Sequence, residues 1–164
     1  MSDAHDDTRP AGPGKSGGPV LVAVDFSDDS RAAVAWAGAE ADRLGVGLQV
    51  LHVVHDPASS PNFYRSVDDD WLRPMADLAR EMMDTFIAEI RAEHGELKAL
   101  ALAETRLVIG LPAGRIVEVA TGISAPLVVV GSRGRTGLSH ILLGSVAERV
   151  VQLAPMPVVV VKRR

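Results

Sequence analysis

Cysteine is absent from the 164-residue sequence, which excludes disulfides, thiolate metal sites and cysteine nucleophiles. Long apolar runs are absent as well, because none reaches the ~18 residues that a membrane-spanning helix needs. Residues 1–19 are polar and contain no apolar segment of the kind found in a secretory signal. We therefore expect a cytoplasmic protein without membrane insertion.

Aromatic residues are scarce, at 4% of the chain, and the net charge is −4. An acidic protein with few aromatic side chains for base stacking is a poor candidate for general nucleic-acid binding, so we expect no nucleic-acid partner. The charge is uneven: residues 131–164 hold six Lys or Arg against one acidic residue, whereas residues 1–130 hold 11 against 20. The basic C-terminal part is compatible with an anionic ligand and equally with a solvated surface.

The chain divides into a tail and one domain. Residues 1–19 contain seven Gly or Pro and almost no large apolar side chain, which predicts a disordered tail before a single domain at residues 20–164. In the domain, apolar runs typical of buried strands alternate with amphipathic helical periodicity. Strands are expected at 20–25, 47–54, 127–131 and 157–161, and a further strand is expected within 99–109. Helices are expected to begin near 28, 73, 112 and 145, and a long loop is expected at 55–71. This alternation predicts an α/β fold with an open parallel sheet and helices on both faces.

Two of the predicted strands end in residues suited to a ligand. Ligands of open α/β sheets bind beyond the carboxyl ends of the strands, where the winding direction reverses. The first strand ends in Asp25, and the fourth ends in Gly131, followed by Gly134 and by Gly144-Ser145 at the start of the last helix. A strand, a glycine loop and a helix N-terminus in this order can cradle phosphates, and Arg133 could reach them as a charged donor. The same residues also fit a plain surface loop, with Ser145 or Asp25 only capping a helix.

The glycine spacing resembles that of a known family. Gly131 and Gly134, followed after nine residues by Gly144-Ser145, match the G-2x-G-9x-G-[S/T] motif of ATP-binding universal stress proteins. Residues 22–27 (VAVDFS), 51–54 (LHVV), 110–113 (GLPA) and 154–161 (APMPVVVV) are similar to further segments of that family. The resemblance covers nearly all of residues 20–164.

The resemblance implies a Rossmann-like sheet of the adenine nucleotide alpha hydrolase type, with five strands in the order 3-2-1-4-5. It also implies that Asp25 binds the ribose hydroxyls and that Leu48 lies against the adenine. The full set of expected site residues is Ala23, Asp25, Leu48, Val130, Gly131, Arg133, Gly134, Gly144, Ser145 and Val146.

As function, the resemblance implies a soluble stress-response dimer that binds ATP or another adenine nucleotide together with Mg²⁺. No Walker lysine and no pair of residues placed to activate water is evident, so we expect binding with slow or no hydrolysis. The predicted edge strand Val158–Val161 is apolar and suits a two-fold homodimer interface. A nucleotide-independent scaffold that regulates a partner protein is the alternative, and a ligase related to ATP pyrophosphatases ranks third because the SGGxDS loop is absent.

Overall fold

The structure is a computed structural model that describes residues 17–55, 69–134 and 143–163, with residues 69–74 described by their backbone only. The helices are α1 (Asp28–Leu44), α2 (Asp69–Glu93), α3 (Lys98–Ala101), α4 (Pro112–Gly122) and α5 (Ser145–Leu153). The strands are β1 (Val20–Val24), β2 (Leu48–His55), β3 (Glu104–Gly110), β4 (Val128–Gly131) and β5 (Val158–Val161).

The strands form one parallel sheet in the order β3-β2-β1-β4-β5. This confirms the predicted α/β fold and strand order. The register places Val22 of β1 between Val50 of β2 and Val129 of β4. Because the winding reverses at β1, the carboxyl ends of β1 and β4 are neighbours with no crossover helix between them.

Each face of the sheet carries its own apolar core, because successive residues of a strand point to opposite faces. On one face, Val20 and Val22 of β1 pack with buried residues of α1, α2 and α3. On the other face, Leu21 of β1 packs with buried residues of α4 and α5, such as Ile116 and Val150. The apolar strands β1, β2 and β4 are therefore buried on both sides.

Three element boundaries differ from the prediction. β1 ends at Val24, so Asp25 follows the strand, and α2 begins at Asp69, within the stretch predicted as a loop. Residues 56–68 of that loop lie outside the described part of the chain. The short helix α3, which was not predicted, occupies the beginning of the range predicted to contain the third strand. The Asp42 carboxylate of α1 accepts the Lys98 and Ala99 amide hydrogens at 2.9 and 2.8 Å, and these bonds stabilise the start of α3.

The last residues of the predicted tail pack on the domain. Gly18 N–H donates to Ser124 O at 3.0 Å, and a Cβ on Gly18 would lie only 1.7 Å from the Ile123 carbonyl oxygen. Residues 17–19 thus belong with the domain, while residues 1–16 lie outside the described part. Among the described helices, none combines the length and the apolar character needed to cross a membrane.

Candidate nucleotide site

A cavity of about 250 Å³ opens at the carboxyl ends of β1 and β4. We call it the strand-end cavity. It lies where the order of the sheet reverses, which is where ligands of open α/β sheets bind. All of the expected site residues except Leu48 line it, namely Ala23, Asp25, Val130, Gly131, Arg133, Gly134, Gly144, Ser145 and Val146. The structure therefore brings together residues that are far apart in the sequence.

Leu48 is not at this cavity. It is the first residue of β2 and lies opposite Val20, at the amino end of the sheet. Its side chain is buried in the core under α1 and α2, on the face opposite the cavity. Leu51 and Val53 of the same strand line the cavity instead. They lie closer to the carboxyl end of β2, and their side chains point to the face of the sheet that is covered by α4 and α5. The expectation that Leu48 contacts the ligand of this cavity is wrong.

Asp25 stands at the mouth of the cavity, directly after β1. Its Oδ1 accepts the Ser27 N–H at 3.1 Å, and the α1 helix is capped by Ser27, whose Oγ accepts the Ser30 N–H at 3.2 Å. The alternative in which Asp25 caps α1 is therefore wrong. Between them, Phe26 has φ of 64°, a strained conformation for a bulky side chain.

The Phe26 ring helps to hold this strained turn in place. It packs 4.4 Å from the His52 ring and 5.5 Å from the Phe86 ring, measured between centroids. His52 is itself held by its Nδ1, which lies 2.7 Å from the Val24 carbonyl oxygen. The turn that carries Asp25 is thus fixed by aromatic packing as well as by hydrogen bonds.

The glycines of the motif provide space. A Cβ on Gly131 would lie 2.9 Å from Asp29 C and Ser30 N, so the absence of a side chain lets β4 approach α1. A Cβ on Gly134 would lie 2.9 Å from the Asp25 Oδ2, so Gly134 leaves room for that carboxylate. Gly144 is different, because a Cβ there would meet its nearest neighbour at 3.4 Å.

The N-terminus of α5 opens onto the cavity. Gly144 is the N-cap with φ of −71°, and no side chain among the described residues caps the helix. The reading of Ser145 as a helix cap is therefore wrong, since Ser145 is the first helical residue. Backbone N–H groups of the first turn lack partners within their own helix and carry a partial positive charge. Ser145, Val146 and Ala147 of this turn line the cavity, and their backbone N–H groups are suited to bind an anion. We call these three residues the phosphate seat.

A buried carboxylate beside the cavity was missed in the sequence. Asp29 is 5% exposed, and its Oδ2 accepts Ser132 Oγ–H at 2.7 Å and Arg133 N–H at 3.1 Å. Burial alone would raise the pKa of Asp29, but the hydrogen bonds from Ser132, the Arg163 main chain and Arg133 outweigh it and lower that pKa below its ordinary value. Asp29 is therefore charged at neutral pH. The available signal in the sequence is an acidic residue in the first turn of a helix, a position that also favours the helix itself and so does not single out Asp29.

Arg133 is the cationic side chain that lines the described wall of the cavity. Its Nε lies 3.4 Å from the Asp29 Oδ2, and the side chain keeps 31% of its exposure. A guanidinium held at one nitrogen retains further N–H donors for a second anion. Residues 135–142, which complete the glycine loop, lie outside the described part of the chain.

Comparison with known proteins agrees with this arrangement. A family model described as the Universal stress protein family matches residues 18–162. A universal stress protein of Thermus aquaticus is 33% identical over 143 residues, which cover 87% of this chain and 97% of that protein. One from Mycobacterium tuberculosis is 39% identical over 145 residues, 88% of this chain, but this chain spans only 45% of its length. The chain thus spans about half the length of several curated relatives.

Solved structures are similar as well. A universal stress protein from Archaeoglobus fulgidus in complex with dAMP has a TM-score of 0.61 and 28% identity, with 88% of this chain and 98% of that chain covered. Another universal stress protein, in complex with cAMP, has a TM-score of 0.58 and 27% identity, with 90% and 98% covered. The family model matches residues 18–162, which contain all five strands, and the Thermus protein is 33% identical over almost its whole length. The chain therefore belongs to the universal stress protein family.

Proposed function

We propose that the protein binds an adenine nucleotide, with ATP as the first candidate, in the strand-end cavity. The observation that carries this proposal is the order of groups around one cavity: an apolar wall, then a carboxylate, then a helix N-terminus that no described side chain caps. A base, a ribose and a chain of phosphates present matching chemistry in the same order. Relatives that are described in complex with dAMP and cAMP support an adenine nucleotide in particular.

The base would lie against the apolar wall. Leu51, Val53 and Ile116 line this part of the cavity and belong to the core between the sheet and α4. A flat aromatic ring buries apolar area there without leaving a buried polar side chain unsatisfied. Asp25, which also lines the cavity, would accept hydrogen bonds from ribose hydroxyls, and a bond to a charged acceptor is worth about 1.5–3 kcal/mol.

The phosphates would rest on the first turn of α5. The N–H groups of residues 145–147 are suited to phosphate oxygens, and Arg133 adds a charged donor. Gly134 and Gly144 form the two sides of this seat. A Cβ on Gly144 would lie 3.6 Å from Gly134 N, so a methyl group there would cover an amide that an anion could use.

Mg²⁺ would arrive with the nucleotide. Among the described residues, no three His, Asp or Glu side chains come together as a metal site. The phosphates would therefore supply most of its ligands. Asp25 is the sole carboxylate on the described wall of the cavity, and a carboxylate bound to ribose is not available to activate water. Slow or absent hydrolysis is therefore part of the proposal.

The proposal includes a homodimer formed through β5. This strand lies at the edge of the sheet, and Val160 is 36% exposed there. The neighbouring α5 also exposes Val151 and Leu153. An apolar edge strand beside exposed apolar residues suits pairing with a second copy. The cytoplasmic location and the regulation of a partner protein remain predictions.

The test is a titration of the purified protein with ATP, ADP, AMP, cAMP and adenosine by calorimetry, together with mass spectrometry of any nucleotide released on denaturation. We expect the wild-type protein to bind adenine nucleotides. Asp25→Asn should weaken adenosine binding by about tenfold, since it replaces a charged acceptor by a neutral one. Asp28→Asn, the same change at an exposed acidic residue nearby, should bind normally. Wild-type protein that binds none of these compounds at millimolar concentration would refute the proposal.

A further inference from the structure

Ser132, the residue after β4, is held at three points. Its N–H donates to Val161 O at 2.7 Å, and its carbonyl oxygen accepts the Gly144 N–H at 2.7 Å. Its Oγ donates to the Asp29 Oδ2 at 2.7 Å. Ser132 is only 4% exposed, so water does not compete for these bonds. Because Gly144 is the N-cap of α5, the position of Ser132 determines where the first turn of that helix begins.

Asp29 is the group on which Ser132 depends. The same Oδ2 that accepts Ser132 Oγ–H also accepts Arg133 N–H, so one oxygen holds two consecutive residues of the chain as it leaves β4. The other oxygen, Oδ1, accepts the Arg163 N–H at a longer 3.4 Å, its one hydrogen bond from the described part of the chain. Asp29 is anchored in α1, whose first turn packs directly against Gly131. Three elements that are remote in the sequence therefore meet at this carboxylate.

We infer that Asp29 is a positioning residue for the phosphate seat: through Ser132 and Gly144 it sets the place of the α5 N-terminus relative to the cavity. The inference rests on the proposed function and adds a residue that does not touch the ligand. The inference predicts a selective change in binding affinity. Losing the Asp29 acceptor should weaken recognition of phosphate and leave recognition of the nucleoside unchanged, because the base and ribose contacts belong to other elements.

Two variants of Asp29 separate position from charge. Asp29→Ala and Asp29→Asn remove the same negative charge, so any electrostatic effect on an anionic ligand is common to both. Asn keeps one oxygen that can take the place of Oδ2 and accept from Ser132 and Arg133, whereas Ala keeps none. The amide nitrogen of Asn would then take the place of Oδ1 and lose the long Arg163 hydrogen bond, because both groups are donors. The comparison of these two variants therefore reports the geometry of the seat.

The experiment measures the dissociation constants of ATP and adenosine for the wild type, both Asp29 variants and Asp28→Ala. Asp28 is the adjacent exposed acidic residue, 70% exposed in its side chain, and serves as the matched control. We expect Asp29→Ala to bind ATP about tenfold more weakly than Asp29→Asn, because a displaced seat must be reordered on binding. Adenosine affinity should be equal in all four proteins.

Several results would overturn the inference. Equal ATP affinity in Asp29→Ala and Asp29→Asn would show that the oxygen at this position does not set the seat, and a parallel loss of adenosine binding would show a general disturbance. If Asp29→Ala does not fold, Ser132→Ala is used in its place. This variant should also bind ATP more weakly while binding adenosine normally, and the loss should be smaller than that expected for Asp29→Ala. Equal ATP binding in Ser132→Ala and wild type would then reject the inference.

A ligand-independent measurement keeps this inference distinct from the proposed function. Hydrogen exchange of the Gly144 amide, followed by NMR, should be about tenfold faster in Asp29→Ala than in Asp29→Asn if Asp29 holds Ser132 in place. Wild-type protein that binds neither ATP nor adenosine would refute the proposed function. Unchanged Gly144 exchange would refute the positioning role of Asp29, whatever the protein binds.

Discussion

Replacing Gly131 by Ala should destabilise the fold because of contacts with backbone atoms. The new Cβ would lie 2.9 Å from Asp29 C and Ser30 N and 3.1 Å from Asp29 Cβ. Asp29 and Ser30 are 5% and 2% exposed, and they belong to a capped helix start, so no flexible side chain can move aside. β4 and α1 must therefore separate by about half an ångström, which for overpacked cores costs about 1–3 kcal/mol.

The Gly131→Ala change also lowers the conformational entropy of the unfolded chain, which stabilises the folded state by about 0.4–1 kcal/mol and offsets part of this cost. We therefore expect a net loss of about 1–2 kcal/mol in the free energy of unfolding, or about 3–6 °C in melting temperature for a domain of this size. Urea unfolding followed by circular dichroism measures the loss, and the m-value should stay constant.

Gly144→Ala is the matched control for this experiment. Its Cβ would meet only ordinary contacts, beginning at 3.4 Å, and its φ of −71° suits any residue. We expect a loss below about 1 kcal/mol, mostly from replacing glycine at an N-cap. If Gly131→Ala unfolds at the same urea concentration as the wild type, the close approach of β4 and α1 is not what requires glycine at this position.

Two further predictions concern pH and assembly. The pKa of Asp29 is lowered in the folded state, so the ionised carboxylate stabilises the fold fully above its unfolded pKa of about 4, and this stabilisation is lost as the pH falls through the folded pKa. Below about pH 4 the urea midpoint of Asp29→Asn should therefore fall less steeply with pH than that of the wild type. Parallel curves for the two proteins would contradict this. Val160→Lys should turn a dimer into a monomer in light scattering at micromolar concentration. Ile109→Lys, at a 41% exposed position on the opposite edge strand, should leave the mass unchanged, and a monomeric wild type would exclude the β5 interface under these conditions.

The parallel α/β fold could be anticipated from local patterns and topology rules, whereas the strand order was implied by the resemblance to one family. Apolar runs buried on both faces predict parallel strands, and the glycine spacing after the fourth run resembles one family closely. The boundary at α3 could not be anticipated, because its first amide groups are held by Asp42, which lies 56 residues earlier in the chain. Local periodicity carries no information about such a remote acceptor.

The residues of the candidate site also fall into those that the sequence could predict and those that it could not. Residues next to strand ends, such as Asp25 and Gly134, were found because their place in the sequence determines their place in the fold. Leu48 was misplaced because choosing the residue of β2 that faces the cavity requires the strand register, and a shift by an odd number of residues turns a side chain to the opposite face of the sheet. Asp29 and Ser132 were missed because their bond joins positions 103 residues apart. Each residue alone looks like an ordinary helix start or loop residue.

The contact between Gly18 and Ser124 has a practical consequence. The chain enters the fold at the amino ends of the strands, whereas the strand-end cavity opens at their carboxyl ends. A tether attached ahead of Gly17 therefore starts from the far side of the sheet. A sensor chip that captures the protein by such a tether leaves the ligand entrance turned toward the flowing solution, so association and dissociation can be recorded without obstruction by the matrix.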